Sequence, residues 1–111
     1  MITVDVIYDG SNIRRGFVVS GHAEYANPGE DIVCAGVSAL TFTTLNALDA
    51  LVNADMDVNM DEDDNSISCI FNGTIDEKSN LLIDAMLMGL KDIESNYGNK
   101  FLTVNVQEVE K

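Results

Sequence analysis

Alternation of apolar with polar residues in five short segments is the feature that most constrains the fold of this chain. Such alternation places one apolar row on a single face of each strand and so predicts strands with one buried face. The segments are 2–8, 13–20, 55–61, 66–72 and 101–106. A helical segment follows each of the first two strand pairs. The order strand, strand, helix, strand, strand, helix, strand predicts an α+β fold, with two helices on one face of a mostly antiparallel five-stranded sheet.

The two helical segments have recognisable starts. Asp31 is a good N-cap for a first helix from 32 to about 53, and apolar residues nearly encircle its axis, which predicts a central, largely buried helix. Thr74 and Glu77 have the spacing of a capping box that opens the second helix, and Gly98 fits its end. The stripe expected to pack in the core comprises Leu82, Met86, Leu90, Ile93 and Tyr97.

Turn residues separate these elements. Residues 9–12 read Asp-Gly-Ser-Asn, which predicts a hairpin between the first two strands. The polar segment 24–30 contains Asn-Pro-Gly and predicts a loop. This loop precedes the first helix and is a candidate lid.

Composition and charge limit the classes of function. The chain has 111 residues, enough for a single domain over 1–111, and 46% of them are hydrophobic, which excludes a disordered chain. Nineteen acidic residues against six basic ones give a net charge of −13. That charge argues against direct binding of nucleic acid or an anionic membrane and favours a basic partner. The apolar stretch 32–52 is interrupted by polar residues, so no membrane span is expected.

The two cysteines are predicted to be free thiols. No secretory signal pattern precedes the first strand, which predicts a cytoplasmic protein in a reducing compartment. Cys69 alternates with Ile67 and Phe71, so we expect it to be a core residue.

The acidic segment 55–65 matches a calcium-binding loop in its first three ligand spacings only. Met60 occupies the glycine position of such a loop, and Ser66 stands where a bidentate glutamate is needed. We therefore expect a solvated strand and an acidic hairpin tip, with no metal and no cofactor.

One segment carries candidate chemistry. His22, the single histidine of the chain, ends the second strand, and Cys34 occupies the third position of the first helix. A helix N-terminus favours the thiolate form, and a nearby imidazole would supply an ion-pair partner and a proton donor. Free backbone N–H groups there could hold an oxyanion. Twelve residues of separation permit contact between the two side chains without requiring it, so a core cysteine and an unconnected loop histidine remain the alternative.

The run from 21 to 40 resembles the signature of the bacterial ribosomal-processing cysteine proteases, the Prp family. That signature has a Gly-His-Ala, a short loop with a glycine, then Asp-Ile-Val-Cys-Ala and a Val-Ser. The matching positions are Gly21, His22, Ala23, Gly29, Asp31 to Ala35, Val37 and Ser38.

The resemblance implies an activity and a set of roles. Family members remove a short N-terminal extension from a ribosomal protein, the twenty-seventh of the bacterial large-subunit series, and form α+β homodimers. Cys34 matches the family nucleophile and His22 its general acid/base.

Four further positions are expected to support the site or bind substrate. These are Gly21, Ala23, Asp31 and Ser38. Asp31 would cap the helix at Cys34, and Ser38, one turn beyond Cys34 on the same face, could donate to the thiolate or to substrate. The sequence points to no third residue that would orient His22. Two other functions stay open: a noncatalytic dimeric module for ribosome assembly, and a redox-sensing thiol protein.

Overall fold

The computed structural model describes residues 1–9, 13–23, 25–27, 30–73 and 75–109, and the side chains among them up to 106. It contains five strands and two helices in the predicted order. They are β1 (Ile2–Asp9), β2 (Arg14–Gly21), α1 (Ile32–Ala50), β3 (Met56–Asp61), β4 (Ser66–Phe71), α2 (Glu77–Tyr97) and β5 (Leu102–Val109). The α+β class is therefore confirmed.

The strands form one mixed sheet in the order β3-β4-β2-β1-β5. Three pairs are antiparallel, and β5 lies parallel to β1 at the far edge. The predicted hairpin is present as the β1–β2 pair, although residues 10–12 of its turn lie outside the described residues. In this pair Val4 is opposite Val19 and Val6 is opposite Phe17, so the alternating rows face the same side.

Both helices contribute to a single hydrophobic core on that side of the sheet. Its fully buried members come from four strands and both helices, and include Val4, Val6, Phe17, Cys69, Leu102, Val33, Leu48, Ile83, Met86 and Leu90. Each such apolar side chain contributes about 1.5–3 kcal/mol through burial. The core thereby fixes α1 against the sheet and positions the N-terminus of α1.

The α1 helix begins where predicted and ends earlier. It stops at Ala50, and Asn53 adopts a left-handed conformation with φ 56°, so the predicted end near 53 is three residues too late. The prediction of a largely buried helix is wrong, because only one stripe is buried, and Ile32 and Phe42 face solvent. The buried residues are Val33, Val37, Thr41, Thr44, Leu45 and Leu48. With 19 residues and a mean hydropathy of 1.4, α1 is long and apolar enough to cross a membrane, contrary to expectation. The core helix of a soluble protein meets the same two criteria.

The start of α2 differs from the prediction. Asp76 is the N-cap, and its carboxylate accepts from the Ser79 N–H at 2.8 Å. Glu77 is thus the first helical residue and does not occupy the third position that the predicted capping box requires. Thr74 lies outside the described residues. Gly98 ends the helix as predicted, with φ 99°. The buried residues of α2 are Ser79, Ile83, Met86, Leu87 and Leu90. The core-facing stripe of this helix therefore differs in part from the predicted one, and Tyr97, which was expected in the core, is 38% exposed.

The edge strand β3 is more exposed than its alternation suggested. Val58 and Met60 point to the helix side of the sheet, yet they are 38% and 60% exposed, because α1 does not cover this edge. An acidic tip follows, where the Asp61 carboxylate accepts from the N–H groups of Asp63 and Asp64. Among the described residues, no group of three His, Cys, Asp or Glu side chains could hold a metal ion.

Candidate active site

Cys34 lies where the first turn of α1 meets the end of β2. Its thiol is half-buried, and Sγ accepts the Ala23 N–H at 3.4 Å. Because Cys34 is the third residue of the helix, its side chain also lies at the positive end of the helix dipole. The sheet and the helix together hold this thiol against the residue that follows His22.

His22 follows the last residue of β2 and is exposed. Its Nδ1 lies 3.4 Å from the amide nitrogen of Asn65, in the turn between β3 and β4. Ala23, the next residue, is 1% exposed and provides the N–H that reaches Cys34. The imidazole is therefore attached to the same short chain segment that contacts the thiol.

Asp31 joins the loop before α1 to the start of the helix. One carboxylate oxygen accepts from the Cys34 N–H at 2.9 Å, as predicted for the N-cap. The other accepts from the N–H groups of Tyr25 at 2.9 Å and Ala26 at 3.4 Å. Desolvation alone would raise the pKa of Asp31, but these hydrogen bonds and one with the Cys34 thiol outweigh it and hold the pKa below its ordinary 3.8. Asp31 is therefore an ionised acceptor at neutral pH.

The loop is also held by aromatic contacts. The Tyr25 ring meets Tyr97 at 5.4 Å and Phe101 at 5.1 Å between centroids, both nearly edge-on. These contacts link the described loop residues 25–27 to the end of α2. The predicted lid cannot be followed further, because residues 24, 28 and 29 lie outside the described residues.

A cavity of about 250 Å³ opens beside the thiol, between α1 and the β3–β4 hairpin. Its lining includes Gly21, Cys34, Ser38, Phe42, Met60 and Asn65. A second cavity of about 290 Å³ shares Phe42 and Met60 with the first and continues between α1 and β3. Together they form one groove, here called the α1–β3 groove, which starts at Cys34 and has an exposed, largely apolar wall.

Gly21 and Ser38 occupy different parts of this site. Gly21 has φ 92°, and a Cβ at this position would collide with the carbonyl oxygen of Met1, so glycine is required by both conformation and space. Ser38 is exposed and lines the cavity with Cys34, one helical turn away. The structure thus brings all six residues singled out from the sequence to one end of the sheet.

Cys69 is chemically different from Cys34. It is fully buried in β4, with its Sγ 3.5 Å from Sδ of Met56, and burial raises the pKa of its thiol to about 11. Both cysteines are free thiols, as predicted. Of the two, only Cys34 combines access from the groove with a helix N-terminus.

Asn65 belongs to this site and was not predicted. It is left-handed, with φ 49°, and its amide nitrogen donates to the Gly21 carbonyl at 2.6 Å. The Gly21 N–H in turn donates to the Asn65 carbonyl at 3.2 Å. An asparagine closing an acidic hairpin tip is a signal for a left-handed turn, but the sequence cannot show that this tip reaches His22.

A thiol at a helix N-terminus, an imidazole on the adjacent strand end, helix N–H groups and an open groove are together the components of thiol-dependent acyl transfer. Comparison with known proteins agrees with this chemistry. The family model described as cysteine protease Prp matches residues 1–101.

Individual relatives agree over nearly the whole chain. The ribosomal processing cysteine protease Prp of Staphylococcus aureus is 33% identical, covering 87% of this chain and 92% of the relative. That of Bacillus subtilis is 35% identical, covering 81% and 85%. The crystal structure of an essential ribosomal processing protease Prp from S. aureus, in complex with a covalently linked product peptide, superposes with a TM-score of 0.89 at 32% identity, covering 96% of this chain and 100% of that one. This chain therefore belongs to the Prp family of cysteine proteases.

Proposed function

We propose that this protein is an endopeptidase that removes the short N-terminal extension of a ribosomal protein, the twenty-seventh of the bacterial large subunit, with Cys34 as nucleophile and His22 as general acid/base. The observation that carries the proposal is the hydrogen bond from the Ala23 N–H to Cys34 Sγ, because it ties the thiol to the residue beside His22. Its relatives in S. aureus and B. subtilis are named for ribosomal processing, which supports the substrate class.

The chemistry proceeds in two steps. His22 takes the thiol proton, Cys34 Sγ forms a bond to the carbonyl carbon of the scissile peptide, and N–H groups of the first turn of α1 stabilise the oxyanion. The C–N bond then breaks as the imidazolium gives its proton to the leaving amine, and a thioester remains on Cys34. Water, deprotonated by His22, attacks the thioester. The proton returns to the thiol as the carboxylate product leaves.

The α1–β3 groove supports a peptide substrate with apolar residues near the scissile bond. Phe42 and Met60, exposed by 39% and 60%, form its shared wall. Asp61 and Glu62 lie at its acidic end. Apolar side chains of a basic ribosomal chain would therefore contact this wall, and its basic side chains would lie near the acidic residues at the rim.

We also propose a cytoplasmic homodimer. Leu81 and Met88 lie seven residues apart on α2 and are each 69% exposed, which supports a subunit contact on this helix. Light scattering should then give twice 12.1 kDa for the wild type and 12.1 kDa for a variant that carries Leu81→Glu and Met88→Glu. A wild-type particle of 12.1 kDa at micromolar concentration would exclude the dimer.

The cleavage proposal is tested by mass spectrometry of the extended ribosomal protein after incubation with purified variants. Wild type should cut one bond. Cys34→Ala should leave the precursor intact, and His22→Ala should lose most cleavage, by roughly a hundredfold or more. Cys69→Ala is the matched control, since it removes the buried thiol and should keep cleavage. Unchanged melting curves of the His22 and Cys34 variants would show that the fold is retained. Normal cleavage by Cys34→Ala would exclude the proposed mechanism.

A further inference from the structure

We propose that the substrate segment in the α1–β3 groove binds as an added strand, paired through its backbone with the free edge of β3. This inference rests on the proposed cleavage of a ribosomal protein and states how that substrate is held. β3 is one of the two edge strands, since the order of the sheet is β3-β4-β2-β1-β5. An extended peptide can add to such an edge through main-chain hydrogen bonds.

One hydrogen bond decides which backbone groups of β3 face away from β4. The Asn72 N–H donates to the Asp55 carbonyl at 2.9 Å, just before β3 begins. The β3–β4 pairing continues from this bond in constant register to the end of the strand. Because the backbone groups of successive residues point to opposite sides of a strand, the odd-numbered residues of β3 face β4. The N–H and C=O groups of Met56, Val58 and Met60 therefore face outward.

The opposite edge of the sheet is closed by a side chain. On β5 the Val104 N–H faces outward and donates to a carboxylate oxygen of Glu94, in α2, at 2.8 Å. Within the part of the chain that the structure describes, no side chain or loop bonds to the outward N–H and C=O groups of β3. Free edges pair readily with further strands, and proteins commonly block them. The edge left open is the one beside the α1–β3 groove.

The outward backbone groups lie along the groove that starts at Cys34. Met56, Val58 and Met60 line it from the strand, and Phe42 lines it from α1. Met60 and Phe42 also line the cavity beside Cys34. Since side chains alternate between the two faces of a strand, a peptide paired with β3 would direct every second side chain toward this groove. The groove then leads from the paired segment to the thiol.

The charge of β3 favours a basic peptide over a second copy of this chain. Asp57 and Asp61 are exposed and alternate with the groove residues, so they extend from the face of the sheet without helices. Two such edges side by side would bring like charges together, which is unfavourable. A basic strand would instead place its outward side chains opposite these carboxylates. The expected substrate segment therefore alternates apolar residues, toward the groove, with polar or basic residues.

Backbone methylation of the substrate tests the pairing. The probe is a fluorescent peptide that spans the extension and the scissile bond of the ribosomal precursor. Its binding to Cys34→Ala, which should leave it uncut, is measured by anisotropy. N-methylation removes one N–H and adds a methyl group in the path of the neighbouring strand. Methylation at positions that face β3 should raise Kd by roughly 10-fold, and methylation at the positions between them should change Kd little, which gives a period of two residues.

Proline at position 58 tests the same contact from the protein side. Val58→Pro removes an outward N–H and leaves the pairing with β4, and edge strands accept proline at such positions. Val58→Thr is the control that keeps the N–H and nearly the same side-chain shape. Val106→Pro is the control for proline itself, because Val106 lies two residues after Val104 and also directs its N–H outward, on β5. Introduced beside Cys34→Ala, Val58→Pro should raise Kd by roughly 3- to 10-fold, and both controls should bind like Cys34→Ala alone.

Four results would overturn the inference: no binding of the peptide, equal effects of methylation at successive positions, wild-type affinity in a folded Val58→Pro, or an equal loss in Val58→Thr. A wild-type dimer that becomes a 12.1 kDa particle in Val58→Pro would assign the edge to a second copy instead. The methylation series leaves the protein unchanged, so it decides even if Val58→Pro unfolds.

The binding measurement needs no cleavage and is therefore independent of the proteolytic test. Binding with a period of two residues by a wild type that cuts nothing would contradict only the proposed function. Normal cleavage of the precursor without this period would contradict only the strand pairing.

Discussion

Cys34 and Cys69 lie in different environments, which leads us to expect different reactivities of the two thiols. Cys34 lies at a helix N-terminus and lines an open cavity, whereas burial raises the pKa of Cys69 to about 11. At pH 7 the Cys69 thiolate fraction is therefore on the order of 10⁻⁴. Iodoacetamide should modify Cys34 quickly in the native protein and Cys69 only after unfolding, as read by peptide mapping. Equal labelling of both thiols, or faster labelling of Cys69, would show that the nucleophile is wrongly assigned.

At this scale the sequence predicted the contact that caps the helix at Cys34, but not the contact between Asn65 and His22. The N-cap position of Asp31 follows from local chain geometry, and the structure contains its bond to Cys34. Asn65 could not be found in this way, because its contact with His22 joins residues 43 positions apart. Such a contact depends on the pairing of β2 with β4, which no local pattern encodes.

Each helix depends on an aspartate cap, and the caps make stability depend on pH. Hydrogen bonds from the backbone and side chain of Ser79 hold the pKa of Asp76 below its ordinary 3.8. A lowered folded-state pKa contributes stability above the unfolded value and loses it as pH falls through the folded value. The stability advantage of wild type over Asp76→Asn should therefore be constant at neutral pH and shrink below pH 3.8.

Urea unfolding of both proteins across this pH range measures the effect. Asp57→Asn, which removes the same charge from an exposed strand position, is the control. An advantage that grows on acidification would contradict the assigned cap.

Substitution of two leucines near the end of α1 tests which face of this helix packs in the core. Leu48 is fully buried and Leu51 is 79% exposed, although both lie in the same apolar run. Leu48→Ala should lower the free energy of unfolding by about 2–5 kcal/mol, and Leu51→Ala should change it by less than about 0.5 kcal/mol. Chemical denaturation monitored by circular dichroism distinguishes them. Similar losses for the two variants would mean that α1 packs through a different face.

The errors at the element scale have one physical cause. The periodicity of α1 and α2 identified them as helices, but an apolar residue such as Phe42 or Ile83 can face either core or solvent. Tertiary packing decides, because a side of either helix is buried only where it meets the sheet or the other helix. The Asp76 cap was missed for a related reason, since Thr74 and Asp76 are both acceptable N-caps two residues apart.

Over the whole molecule, the net charge of −13 should steer a basic substrate. Such attraction raises association rates and weakens as salt screens it, with a Debye length of about 8 Å at 0.15 M. The value of kcat/KM for the extended ribosomal precursor should fall as sodium chloride rises, while that for a short neutral peptide across the same bond should change little. Equal salt dependence for both substrates would show that charge does not guide encounter.

The architecture was largely predictable because alternation and helical spacing are local signals. The class, the element order and the two hairpin pairs, β1–β2 and β3–β4, followed from them. The parallel pairing of β5 with β1 did not, because it requires the chain to cross over through α2 and return to the opposite edge. That crossover leaves β3 as an exposed edge, and the α1–β3 groove is the consequence.

The central claim is that Cys34 becomes covalently attached to the N-terminal fragment of its substrate. The most direct measurement is rapid acid quenching of wild-type enzyme with the extended ribosomal protein, followed by intact mass analysis and peptide mapping. The predicted result is an adduct on Cys34 that adds the mass of the released extension less one water, absent in Cys34→Ala and retained in Cys69→Ala. Cleavage at an undiminished rate in Cys34→Ala, or an adduct on Cys69, would contradict it.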